Sequence, residues 1–119
     1  MKNSQILFFV LAVFVGIFIF YMSSISFEPS EKAFDIKPYI YHFGVFFMFS
    51  FFLFMSGRMK KEYLFVVVLI SFVYALLDEV HQIYVPNRGF DIVDLGVDYL
   101  GVVVGFIFLL IFKNRKVFK

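Results

Sequence analysis

Cysteine is missing altogether from these 119 residues. Disulfides and thiolate metal sites are therefore excluded. Also missing are any H-E-x-x-H or comparable metal-ligand spacing, a phosphate-cradling glycine loop and a nucleophile elbow. The motifs thus lead to an expectation of no cofactor and no metal. No internal repeat or low-complexity linker divides the chain, and its length fits a single domain over residues 1–119. A polar coat is lacking as well: charged residues are 17% of the chain against 62% hydrophobic, including 21 Phe. A soluble domain of this size could not cover its core with so few polar groups.

What is present is four apolar runs, over residues 5–22, 38–56, 63–83 and 92–112. Each is close to the roughly 20 residues that cross about 30 Å of hydrocarbon as a helix. The fold class that follows is an all-α membrane protein, a bundle of four transmembrane helices. The Phe residues read as bulk facing lipid and neighbouring helices. The first run, with Lys2 before it and Ser23, Ser24 and Ser26 after it, has some features of a signal peptide. It is long for the apolar segment of one, and an uncleaved span is expected.

Positive charge sets the expected topology. Lys2, the loop carrying Arg58, Lys60 and Lys61, and the tail carrying Lys113, Arg115, Lys116 and Lys119 alternate with connections poorer in net positive charge. In those connections Lys32 and Lys37 are offset by Glu28, Glu31 and Asp35, and Arg88 stands by itself. The positive-inside rule places both termini in the cytoplasm. The formal net charge of +2 is no argument for nucleic acid, because the basic residues cluster at membrane edges. The partners expected are membrane lipids.

The segment DEVHQIYVPNRGFDIVDLGVDYLGVVVG, residues 78–105, departs from this apolar pattern. Asp78, Glu79, His81 and Gln82 fall in the last turns of the third run, and Asp78 and Gln82, four apart, share a face. Pro86-Asn87-Arg88-Gly89 is a turn signal. Asp91, Asp94 and Asp98, spaced by three and four, form one stripe on the fourth helix, and Gly101 and Gly105 extend it as G-x-x-x-G. Asp91 suits a helix cap. Pro38 suits the first turn of the second helix, with His42 one turn further in. Gly44 and Ser50 on that helix are small enough to admit a neighbour.

Counted from the outer ends of the runs, His42, Asp78 and Asp98 lie roughly 6–9 Å below the edge of the hydrocarbon. Ionisable groups facing lipid at that depth are expensive, so they should converge between helices. The expectation is an outward-opening polar pocket lined by His42, Asp78, Glu79, Gln82, Arg88, Asp94 and Asp98, with Asp91 either the cap of the fourth helix or a further ligand-binding residue. Arg88 either pairs within the protein or clamps an anion.

The ordered set Asp78, Glu79, Gln82, Pro86, Arg88, Asp91, Asp94, Gly101 and Gly105, with His42 upstream, resembles the VanZ-like family of small bacterial membrane proteins. Where the family typically carries Asn, this chain has Asp98. The resemblance implies a multi-pass protein of the bacterial cytoplasmic membrane with a cell-envelope role. It also implies a connection with resistance to teicoplanin, a lipid-tailed glycopeptide.

One function class that follows is a protein whose pocket binds a lipid headgroup, a cell-wall precursor or the lipoglycopeptide. A second is a membrane enzyme acting on a lipid-linked substrate by carboxylate acid–base chemistry, with Asp78, Glu79, Asp98 and His42 as catalytic candidates. A third, an ion or proton pathway, fits poorly. The other halves of the spans offer only Ser50, Ser56, Ser71 and Tyr74 as polar points.

Overall fold

A computed structural model describes residues 3–25, 36–57 and 61–113. The basic residues Lys2, Arg58, Lys60, Arg115, Lys116 and Lys119 lie outside the described residues. So do Ser26 and the loop residues Glu28, Glu31, Lys32 and Asp35.

The described residues form four helices: α1 (Asn3–Ser24), α2 (Lys37–Ser56), α3 (Lys61–Gln82) and α4 (Ile92–Lys113). Each contains a span long and apolar enough to cross a membrane. At about 1.5 Å per residue, helices of 20–22 residues reach roughly 30–33 Å.

The ends of the helices follow local chemistry. Pro38 sits in the first turn of α2, where a missing N–H costs nothing. α3 continues past Leu77 to Gln82, so Asp78 and Glu79 are helical residues and not a frayed end. Beyond Gln82 the chain tightens. The amides of Ile83, Tyr84 and Val85 bond to carbonyls three residues back, and Asn87 adopts a left-handed backbone with φ 62°. Asn tolerates that conformation better than most residues, and it, not Gly89, takes it here. At the head of α4, Asp91 Oδ1 accepts from the amide of Val93 at 2.8 Å and more weakly from that of Asp94 at 3.4 Å. These amides would otherwise lack a helical partner.

Successive helices run in opposite directions. Gln5 at the start of α1 donates to the Ser56 carbonyl at the end of α2, while Ser24 at the end of α1 meets His81 at the end of α3 at 3.0 Å. His42 near the start of α2 meets Asp98 near the start of α4. α2 packs against all three other helices, most extensively against α4. A Cβ placed on Gly101 would lie 2.6 Å from the Phe43 carbonyl oxygen, so the backbones of α2 and α4 approach closely there. Gly105 faces Ser50 in the same seam. Gly44, expected to admit a neighbour, has nothing within 4 Å of its Cβ position; its side of α2 turns away from the seam.

The polarity of the bundle is inverted relative to a soluble protein. Phe65 and Ile92 are each 72% exposed, whereas Glu79 and Asp98 are 0% exposed. Water would penalise the first pair and hydrocarbon would penalise any outward placing of the second. Phe46 and Phe54 fill the centre, and Phe47, Phe51, Phe106 and Phe108 pack ring against ring between α2 and α4. Phe therefore serves both the interior and the outer face.

Candidate functional site: a buried carboxyl–imidazole layer

One end of the bundle holds a polar layer beneath the apolar exterior. α2 contributes His42, α3 contributes Asp78, Glu79 and Gln82, and α4 contributes Asp94 and Asp98. His42, Asp78, Glu79, Gln82 and Asp98 are all buried. Asp94 is the more open member, its side chain 15% exposed. The helical periodicity explains the choice of faces: Asp78 and Gln82 are one turn apart, as are Asp94 and Asp98.

His42 is held between two carboxyls of α4. Its Nδ1 is 2.7 Å from Asp98 Oδ1, a hydrogen-bond distance, and its Nε2 is 3.6 Å from Asp94 Oδ2. Asp98 Oδ2 and Glu79 Oε1 are buried and have no hydrogen-bond partner among the described residues. Hydrocarbon offers them none, and a buried oxygen left unpaired costs about 1–3 kcal/mol. The Gln82 amide, oriented with its nitrogen toward Glu79 Oε2 at 3.2 Å, receives the Arg88 Nη2 donor on its oxygen at 2.9 Å.

Arg88 reaches further. Its Nη1 donates to the Ile25 carbonyl at 3.1 Å and lies 3.5 Å from the Met22 carbonyl, at the end of α1. Carbonyls at a helix C-terminus lack intrahelical donors and carry partial negative charge, so a guanidinium is well suited to them. These contacts are all within the protein. They tie the turn after α3 to α1 and, through Gln82, to Glu79.

The residues expected to line a pocket are thus gathered, but not equally. Asp91 stands apart as the cap of α4. His81 lies outside the layer, bonded to Ser24 and stacked on Phe20 with ring centroids 4.6 Å apart. Two members carried no signal in the sequence. Tyr41, whose ring meets His42 edge-on, has a buried hydroxyl with no partner among the described residues. Ser23 of α1 is buried beside Asp78. Tyr41 is concealed among many aromatics, and Ser23 in a serine run that reads as a loop boundary.

Toward the opposite end polar groups are scattered. Ser50 and Ser56 bond back to carbonyls of their own helix, and the buried Ser71 hydroxyl has no partner among the described residues. No continuous polar path crosses the bundle among the described residues.

Four apolar spans enclosing a carboxyl–imidazole layer define a multi-pass membrane protein with a buried ionisable site. Its family follows from comparison with known proteins. The family model described as VanZ/LLP1 matches residues 7–113, and the chain belongs to that family. No curated protein and no solved structure gives a significant match.

Proposed function

We propose that this chain is a cell-envelope protein of the bacterial cytoplasmic membrane. Its polar layer, at the outward end of the bundle, receives the headgroup of a lipid, a cell-wall precursor or a lipoglycopeptide such as teicoplanin. Both termini are then cytoplasmic. The alternating helices put Asn3, Lys61 and Lys113 at the end opposite His42, and the excess of Lys and Arg in the sequence flanking those helix ends supports a cytoplasmic side there.

The observation that carries the reading is the burial together of His42, Asp78, Glu79 and Asp98 from three helices. A fold with only structural demands would fill this layer with apolar side chains, since buried ionisable groups in a span are costly. Entry is by way of Asp94, whose carboxyl is partly open. Carboxyl groups and an imidazole suit hydroxyl, amine and amide groups of a ligand, while its acyl tail lies among the exposed apolar side chains of the spans.

Susceptibility to teicoplanin and vancomycin, measured side by side, tests the reading. Expression of the chain is expected to raise the teicoplanin concentration needed for inhibition several-fold, with vancomycin, which lacks the lipid tail, little changed. His42→Ala and Asp94→Ala at matched membrane abundance are expected to lose the difference. Equal susceptibility to both drugs in every strain contradicts it.

A second reading, a membrane enzyme, is favoured by one feature. The His42 imidazole is held by Asp98 on one nitrogen and faces Asp94 with the other, an arrangement suited to moving a proton at a lipid-linked ester. Lipid extracts of the same strains separate the two: a product that disappears in Asp98→Ala supports the enzyme, and an unchanged lipid profile opposes it.

A further inference from the structure

We infer that His42, Asp78 and Asp98 form a binding site for a divalent first-row transition cation, of the Mn²⁺ or Zn²⁺ kind. This goes beyond the envelope-ligand reading and does not rest on it. Each of the three residues offers a ligand atom, and these atoms all lie within 4.8 Å of one another. Around a single ion with bonds of about 2.0–2.2 Å, donor atoms stand roughly 3–4.4 Å apart, so little movement is required. The three come from three different helices, and an ion there joins α2, α3 and α4 at one point.

Two further observations, independent of that grouping, point to a cation. Asp98 is 0% exposed, and its Oδ2 has no hydrogen-bond partner among the described residues. Glu79, also 0% exposed, has a similarly unpartnered Oε1. Buried carboxylate oxygens are normally satisfied, and coordination to a metal is one of the few ways to satisfy them in a dry interior. Among the described residues, the layer also holds more carboxyls than basic groups: Asp78, Glu79, Asp94 and Asp98 beside His42 and Arg88.

The surroundings are those of a supported ligand set. A histidine that binds a metal through one nitrogen is usually oriented by a carboxylate or carbonyl on the other. With Nδ1 of His42 turned to the ion beside Asp98, Asp94, 3.6 Å from Nε2, takes that orienting part. The donor chemistry narrows the ion. Without thiolates the site does not select soft Cu(I). With one imidazole among so few oxygens it does not match Ca²⁺, which takes six to eight oxygen ligands. An imidazole with carboxylates suits Zn²⁺ and Mn²⁺.

The test uses the full chain purified in detergent, stripped with EDTA and freed of chelator. Mn²⁺ is titrated by the paramagnetic signal of the free ion, and Zn²⁺ by competition with a coloured chelator. One ion per chain is expected to bind, with affinity reduced at least roughly tenfold in Asp98→Asn and in His42→Gln. Glu62→Gln, an exposed substitution at the far end of α3, is expected to bind as the parent does. Circular dichroism checks the fold, and if one ligand variant is not helical the other decides. Failure of the folded parent chain to bind either ion at millimolar concentration overturns the inference. So does unchanged affinity in a folded ligand variant. Neither result depends on drug susceptibility, so failure here and failure of the envelope reading are distinguishable.

Discussion

Gly101→Val is expected to force α4 away from α2 and to cost stability at the upper end of the range for overpacking, about 3 kcal/mol. The reason is the identity of the atoms in the way. A Cβ at position 101 would meet the Phe43 carbonyl oxygen at 2.6 Å and the Phe47 amide nitrogen at 3.2 Å. These are backbone atoms of a helix and cannot rotate aside. Relief requires the two helices to separate along the most extensive contact in the bundle. That separation also pulls Asp98, one turn away, from His42. Gly105→Ala should be milder, because the nearest atom, at 2.8 Å, is the Ser50 hydroxyl, which can turn. Gly44→Ala and Gly96→Ala face nothing within 4 Å. They should be neutral or stabilising by up to about 1 kcal/mol, since alanine is the better helix former. Unfolding in mixed micelles with increasing SDS orders the four substitutions. A Gly101→Val chain as stable as the parent would show that the seam is not as close as described.

The second large effect concerns His42. His42→Leu leaves the Asp98 carboxyl wholly buried and without its hydrogen bond, and removing one partner of such a pair costs about 3–5 kcal/mol. Replacing both partners is different. His42→Leu with Asp98→Leu substitutes apolar for polar volume, and such exchanges are often neutral or stabilising. The double variant is therefore expected to be more stable than His42→Leu, although it carries one more substitution. Four-way comparison of the parent, both single variants and the double variant measures the coupling. Losses that simply add would mean that the 2.7 Å contact contributes nothing to the folded state. Loss of function in the double variant with stability retained would separate the role of the layer from the integrity of the bundle.

How far the primary structure foretells these features differs by level. The four helices follow from the length of the apolar runs, and two of their ends from Pro38 and Asp91, because hydrophobicity and capping are local properties. The Asp91, Asp94 and Asp98 stripe is equally legible, yet spacing assigns all three to one face without distinguishing them. Only packing separates the cap, the partly open carboxyl and the fully buried one. The partner of His42 lies 56 residues away on another helix, and no periodicity encodes such a meeting. The same is true of the cation site. Metal motifs in sequence rely on ligands from one helix or loop, whereas His42, Asp78 and Asp98 are separated by 36 and 20 positions. Gly44 illustrates the converse: a small residue on a spanning helix looks like a contact, and the rotation of α2 decides that Gly101 is the one that makes it.

Labelling single-cysteine variants in intact cells with a membrane-impermeant maleimide tests the burial of the acidic layer most directly, since the chain has no cysteine of its own. Tyr84→Cys, at a position 82% exposed in the turn between α3 and α4, should react without permeabilisation. Asp98→Cys, where Asp98 is 0% exposed, should stay unlabelled until the protein is denatured, and Glu62→Cys, an exposed position at the opposite end, should react only after permeabilisation. Labelling of position 98 as fast as position 84, or of position 84 only in opened cells, would contradict an ionisable layer enclosed beneath the outer surface.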